Sequence, residues 1–562
     1  MRRAGLGTCV VGATILMAPC AEAQDLTTAQ INAIEQQIHA LQSELHHMRQ
    51  ALSQRDQQVQ AARRAAAEAQ ATAARVQAQI PTGPSTQYGP TGGAQVPPGM
   101  VGPATPVTTG PPLPRGAFQL GAVTVTLGGY IDMRGIFRTR NEAADVGSSW
   151  SGIPLGNSPN HYENEFHMSA RATRLSLLMQ GHPDPASTLA GYIETDFQGA
   201  APTSNSVQSN SYVPRLRQAY AQYDNSALGL HVLAGQAWSL LTQYKVGLVP
   251  RQENVPITMD NSYLPGFTYA RQPQLRIDKD FDNHRLWLAM SLENPQTTWN
   301  TSGYTTTGGN TAALPDGFDA QITTPGGSGY APTVNYSDNI APDIILKAAY
   351  DPGWGHYEAF GIARFITDRV DTVGWGKSNT VLAGGGGADA ILPIIPKKLE
   401  FEARALVGTG IGRYGAGGLP DATLKPDGTP APIPEVQAMI GLVGHPTPRI
   451  DLFSYVGTEQ ESRTSFNEVI KGKNTGFGYG SVLYSNAGCD VELSPLTCTG
   501  NTSGLTQGTL GGYYKFIKGP WGTMEAGAQY SYTHRQIFLG VGGAPYANEQ
   551  VIMVDLRYLP FQ

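Results

Sequence analysis

Hydrophobic and polar positions alternate along much of this chain, and the alternation is cleanest at residues 189–198. The odd positions there are Leu189, Gly191, Ile193, Thr195 and Phe197; the even ones are Ala190, Tyr192, Glu194, Asp196 and Gln198. Successive side chains of an extended strand point to opposite faces, so one face of this segment is largely apolar and the other polar and acidic. The first such segment begins near Val123: Val125, Leu127, Ile131, Met133 and Phe137 share one face, and Thr126, Tyr130, Asp132, Arg134 and Arg138 the other. Similar segments recur near 168–181, 188–199, 213–224, 228–240, 269–278, 284–294, 343–351, 356–367, 381–391, 398–409, 435–444, 449–460, 503–516, 522–536 and 548–559, sixteen in all. Residues 215–224 split their faces poorly, Gln218 and Gln222 falling with Leu216 and Tyr220, which suggests a subunit contact. Residues 381–391 carry a GGGG run and are the weakest strand.

Short turns fall on alternate connections (HPDP at 182–185, then DNSA, DKDFDN, DPGWG, PIIPKK, HPTP and KGPWG); the others are mostly long and rich in Gly, Asn, Ser and Thr. No amphipathic helix within this region covers an apolar sheet face. Lipid would cover it, provided that the sheet closes and leaves no edge. The pattern therefore predicts an all-β domain over residues 117–562, a 16-stranded antiparallel transmembrane β-barrel in the outer membrane of a Gram-negative bacterium. Short periplasmic turns, long outer loops and an aqueous lumen go with that architecture.

Ahead of it the period changes. Ile31, Ile38, Leu45, Leu52 and Val59 with Ile34, Leu41 and Met48 form a seam of 3.5-residue repeat, which predicts an α-helical coiled coil over residues 24–80, in the periplasm. At 1.5 Å per residue its repeat reaches about 75 Å, and Ile at both seam positions favours three or more strands. A single amphipathic helix is the alternative, and its polar surround argues against it. Residues 81–116 read as a Pro/Gly-rich linker. Residues 1–23 read as a signal peptide: Arg2 and Arg3, a short apolar core, then Ala21-Glu22-Ala23.

Composition narrows the function classes. No apolar run approaches the roughly 20 residues of a membrane helix, and 67 Gly and 25 Tyr suit a barrel. A net charge of −6 with no basic run argues against nucleic acid as a partner. Beyond the leader only Cys489 and Cys498 remain, in one long loop; an even pair in an exported chain predicts a disulfide. No nearby His completes a metal site. There is no G-x-S-x-G, P-loop or H-E-x-x-H, so neither catalysis nor a cofactor is predicted.

The motifs GGYI (128–131), ARATRLSL (170–177), GYIETDFQG (191–199), RLRQAYAQY (215–223) and AGQAWSLL (234–241), together with the order of leader, coil, linker and barrel, resemble the DcaP-like outer-membrane porins. The likeness in layout spans the chain, while its motifs occupy the first third of the barrel. One departure is the last residue, since such barrels commonly finish on Phe and here Gln562 follows Phe561. The resemblance implies a homotrimer in outer-membrane lipid and lipopolysaccharide that passes small hydrophilic solutes, dicarboxylates being the kind the family name reflects. It also implies a third outer loop, here 241–268, that narrows the pore and carries Lys245, Arg251, Glu253 and Asp260.

Alternation places Arg134, Arg138, Arg174, Arg215, Arg217, Arg276, Arg285, Arg364 and Arg404 inward, with Asp132, Glu194, Asp196, Glu358, Glu400 and Glu402 opposing them. Guanidinium groups in a lumen let anions exchange hydration for charge-assisted hydrogen bonds. The candidate anion contacts are Arg134, Arg138, Arg174, Arg215, Arg217, Lys245, Arg251 and Arg276, expected to converge near the constriction. The alternatives are a phosphate- or sugar-selective porin and a structural tether whose coil engages peptidoglycan.

Overall fold

Strand alternation becomes a closed wall in the computed structural model, which describes residues 115–199, 212–325 and 335–561 with Gln42, Leu113 and Asn210 as single positions. The chain divides into two units, Met1–Thr108 and Thr109–Gln562. The leader, the coil and most of the linker expected from the sequence lie outside the described residues.

The wall consists of β1 (Val123–Arg138), β2 (Glu165–Ser169 and Arg174–Asp184, one strand interrupted at 170–173), β3 (Ser187–Asp196), β4 (Arg215–Asn225), β5 (Leu230–Trp238), β6 (Arg271–Phe281), β7 (Leu286–Glu293) and β8 (Asp343–Tyr350). It continues with β9 (His356–Thr372), β10 (Trp375–Ile395), β11 (Leu399–Thr409), β12 (Pro434–Thr447), β13 (Ile450–Glu461), β14 (Thr502–Gly519), β15 (Gly522–Ile537) and β16 (Tyr546–Leu559). All neighbours pair antiparallel, and β16 closes on β1, residues 131–138 running against 551–558. A short strand, Ala117–Leu120, folds back on the start of β1 beyond the end of β16.

Burial follows the period of two. Leu189, Ile193, Leu275, Ile277, Leu346, Ile440, Leu452 and Val554 all face outward and are exposed, while Glu194, Asp196, Arg276, Asp278, Glu459 and Asp555 on the same strands face inward and are buried. An apolar exterior over a polar, filled interior inverts the soluble pattern and matches a lipid-facing barrel. In β4 the poor split of faces has a local cause. Glu194 pairs with Gln218 and Thr195 with Leu216, so Arg217 is the extra residue of a β-bulge. Beyond the bulge Gln218, Tyr220 and Gln222 face inward; Arg217 itself also does so, and Leu216 before it points out.

Seven connections are short, among them 185–186, 448–449 and 520–521. On the opposite end lie loop 1 (139–164), loop 2 (197–214), loop 3 (239–270), loop 4 (294–342), loop 6 (410–433), loop 7 (462–501) and loop 8 (538–545). The fifth connection departs from expectation. Residues 368–380 are not a loop: β9 and β10 stay paired to Thr372 and Trp375, and only Val373 and Gly374 turn, Gly374 at φ 80°. Above the lipid no apolar face is needed, so the ladder of backbone bonds continues after the alternation has gone.

Cys489 and Cys498 are joined by a disulfide in loop 7. The bond is not at the tip of the loop, which is the hairpin of Thr464–Ile470 with Lys473–Tyr479. It sits in an apolar cluster with Trp150, Ile153 and Leu155 of loop 1 and Leu419 of loop 6. The disulfide thus fastens the contact between outer loops.

Two outcomes follow from this arrangement. Ile440→Arg, on the exposed face of β12, should cost about 2–4 kcal/mol in a bilayer, against roughly 0.5 kcal/mol or less for a surface change in water. Urea unfolding in lipid vesicles measures the difference, and a neutral result would refute lipid contact there. Intact mass of the non-reduced chain should find Cys489 and Cys498 bonded. Because closing so short a loop contributes at most about 2–3 kcal/mol, reduction should open loop 7 to protease while the β-sheet circular dichroism persists; two free thiols in the isolated protein would reject the bond.

Candidate functional site

Loop 3 leaves the wall after Trp238 and turns into the lumen because its apolar side chains find inward-facing partners there. Leu240, Leu241, Tyr244 and Leu248 pack on Trp287, Ile345, Phe360 and Leu406. Further along, Met259, Tyr263, Leu264 and Phe267 pack on Ile136, Met439, Phe453, Tyr455 and Met553, on the far wall. The loop therefore crosses the barrel, and it spans 239–270 rather than 241–268.

Its backbone is bound by the wall's polar groups. Leu240 N–H donates to Glu293 Oε1 at 2.8 Å, Tyr244 N–H to Glu358 Oε1 at 2.8 Å, Gly247 N–H to Asp351 Oδ2 at 2.8 Å and Gly266 N–H to Glu459 Oε1 at 2.7 Å. Met259 N–H donates to Gln529 Oε1 at 2.6 Å. In the other sense Lys347 Nζ donates to Thr242 O at 2.8 Å, and Arg276 and Arg134 donate to the carbonyls of Leu248 and Met259. A buried backbone group without a partner costs about 1–3 kcal/mol, so these contacts hold the loop in place.

The sequence-derived cations fall into two groups. Five are paired at the wall. Arg134 donates to Asp132 at 3.0 Å, and Arg276 to Asp278 at 2.8 Å. Arg138 lies 3.6 Å from Glu142 and 3.5 Å from Glu165. Arg215 donates to Asp196 at 2.7 Å, and Arg217 to Glu194 at 2.5 Å and Asp196 at 2.9 Å. Arg174 is held more loosely, 3.8 Å from Glu194 and 5.4 Å from the Tyr130 ring. The remaining two make no close ion pair among the described residues, although Glu253 of the same loop faces Arg251 and Glu402 of β11 faces Lys245. Arg251, at φ 69°, donates to Tyr220 Oη at 3.0 Å and Gln222 Oε1 at 3.1 Å; Lys245 is exposed. The expected convergence does not occur: Arg134 meets loop 3 at Met259 and Asn261, whereas Arg251 meets β4. Asp260 does not cancel a cation either, since it accepts from Ser148 and Ser262. Arg285 sits exposed in the turn between β6 and β7, not inward.

No family model and no curated protein matches the chain. Among solved structures, the outer membrane channel DcaP of Acinetobacter baumannii is 17% identical, covers 79% of this chain and 99% of its own, and has a TM-score of 0.53. OmpF of Salmonella typhi is 10% identical over 78% of this chain and 99% of its own, TM-score 0.41. OmpT of Vibrio cholerae is 10% identical over 79% and 99%, TM-score 0.40. The likeness to the first of these shows the fold, a closed outer-membrane-type β-barrel.

Several charged groups in this barrel escaped the reading of the sequence. Lys347 contacts Glu358 at 2.5 Å beneath loop 3. Arg557 donates to Asp132 at 3.1 Å and Asp555 at 3.0 Å, which joins β16 to β1 across the closure. Both could have been found by alternation, since Lys347 shares a face with Ile345 and Ala349, and Arg557 with Asp555. Arg271 stacks 4.9 Å from Trp238 without an ion pair among the described residues; its place at a strand end gave no face to read. On the turn side of loop 3, Tyr130, Arg174, Ile257, Tyr263, Tyr513 and Arg557 line a cavity of about 280 Å³.

Loop 1 meets the same charge network. Burial pushes the Glu142 carboxyl up to about 7 against the pull of Arg138, and Asp260 and Glu165 add to the rise. A carboxyl raised in the fold favours folding below its ordinary value of 4.5, and that contribution is lost as pH rises through about 7. Hydrogen exchange across residues 139–164 should therefore lose protection progressively from about pH 4.5 to about pH 7, beyond the intrinsic rate, and level off above that. Glu142→Gln should remove that excess, and an identical profile in the variant would disprove the assignment.

Proposed function

We propose that the chain is an outer-membrane porin for passive diffusion of small hydrophilic solutes, favouring anions such as dicarboxylates. The observation that carries the reading is a closed barrel, apolar outside and polar within, whose third loop is bound across the lumen by wall charges. A barrel of sixteen strands is wide enough to leave a water path around such a loop. Assembly as a homotrimer belongs to the same reading, supported by the Ile-rich heptads of residues 31–80.

The preference for anions rests on which charges still face water. Arg134, Arg138, Arg217 and Arg276 are buried and neutralised, so they contribute little field to a passing ion. The buried carboxylates Glu435, Glu459 and Glu461 are equally withdrawn. Lys245 and Arg251 make no close ion pair on the loop that narrows the lumen; Glu402 and Glu253 offset them only in part, and their charge acts in a space less screened than bulk water.

Reversal potentials in planar bilayers under a salt gradient test this. The expected result is a modest anion preference that fades as salt rises. Lys245→Gln with Arg251→Gln should lower the anion-to-cation permeability ratio roughly two- to fivefold, the equivalent of about 0.4–1 kcal/mol. Cation selectivity at low salt would overturn the anion preference, and a barrel with no conductance would overturn the porin itself.

A further inference from the structure

Above loop 3, at the long-loop end, lies a second cavity of about 340 Å³, lined by Ser151 of loop 1, Thr298 to Asn300 of loop 4, Gly418 to Pro420 of loop 6, Tyr479 and Gly500 to Asn501 of loop 7, Thr502 of β14 and Arg535 of β15. Its lining holds one cation and no carboxylate. Arg535 occupies the inward register near the top of β15 and is held by two neutral acceptors: its Nε donates to Thr502 Oγ1 at 3.0 Å and its Nη1 to Ile153 O at 2.5 Å. It has no ion pair among the described residues, unlike the buried arginines of the wall. The acid that faces it from a neighbouring loop, Glu142, lies 3.6 Å from Arg138, and Glu461 lies behind the lining's Tyr479.

Two more donors turn this guanidinium, which makes no close ion pair, into a site. Ser151 Oγ and Asn300 Nδ2 make no hydrogen bond among the described residues, and Asn300 Oδ1 is occupied by the Ser302 N–H at 3.1 Å. Guanidinium, hydroxyl and amide donors together match a planar oxyanion, which an arginine fork can hold through two bonds. The volume suits a small solute. Water at the mouth keeps the contact exchangeable, as passage requires.

We propose that this cup is an oxyanion-binding mouth site, in which Arg535 takes the carboxylate end of a small solute before it reaches loop 3. It rests on the porin reading for its role in transport, but its existence is tested by binding alone. Saturation-transfer NMR on the full chain in detergent, with succinate as probe and inorganic phosphate in a parallel arm, reads the dissociation constant without any need for conduction. Because the guanidinium supplies the charge-assisted bonds, Arg535→Gln should weaken succinate binding at least roughly tenfold. Ser151→Ala, which removes no hydrogen bond made among the described residues, should weaken it a few-fold and covers the case in which the Arg535 variant does not fold. Phosphate binding equal to that of succinate would make the site one for oxyanions in general, within the proposal. Wild-type affinity retained in both variants, or no saturation transfer to either probe in the wild type, would overturn it. A channel that conducts with anion preference yet binds neither probe would sink the mouth site and leave the porin reading standing.

Discussion

A loop threaded into a barrel must find partners for every backbone N–H and C=O that it takes out of water. Loop 3 supplies some of them itself, where residues 243–245 pair with 252–254 and in turns such as Phe267 N–H to Leu264 O. The wall supplies others, and with charged side chains: Glu293, Glu358, Asp351 and Glu459 accept from its N–H groups, and Lys347, Arg276 and Arg134 donate to its carbonyls. Charged partners make stronger hydrogen bonds than neutral ones. They also impose a condition, because a buried charge without a counter-charge is costly. Hence the pairs Arg276–Asp278, Lys347–Glu358 and Arg134–Asp132, each within reach of the loop.

Close approach is the second requirement of the same contact. Gly266 lies at φ 86° against β12, where a Cβ would collide with the Ala438 carbonyl. On the facing wall a side chain at Gly457 would strike the Pro265 carbonyl. Glycines on both sides of one contact let backbone lie on backbone, and the apolar packing of Leu264 and Phe267 then closes over it. The loop is thus fitted to the wall by missing side chains as much as by present ones.

The strands were legible because lipid on one side and water or protein on the other enforce a strict period of two. Even the disordered-looking faces of residues 215–224 follow it once Arg217 is set aside as a bulge. Legibility failed where that enforcement stops. Residues 368–380 stand beyond the lipid, and their pairing is carried by backbone bonds that leave no mark on side-chain order. The inward arginines were legible one by one, but not their pairing: Arg138 meets Glu142 and Glu165 only because loop 1 and β2 approach the same height in the barrel. Arg535 went unread because its neighbours come from four separate loops, whose positions no local pattern encodes.

A lumen that spends its charges on holding a loop has few left for recognising solutes. Each cation committed to loop 3 brings a carboxylate with it, and paired charges exert a short-ranged field. In the proposed porin, selectivity would then fall to groups that the loop does not need: Lys245 and Arg251 on its water-facing side, and Arg535 at the mouth. Such groups are partly hydrated and screened, which limits how strongly they can discriminate. The same reasoning explains why removing a wall carboxylate such as Glu358 would not simply make the pore more positive. It would free Lys347 while also stripping the Tyr244 N–H of its acceptor, and the loop would shift before the field could be read. Structure and selectivity are separable here only at the positions that hold nothing else in place.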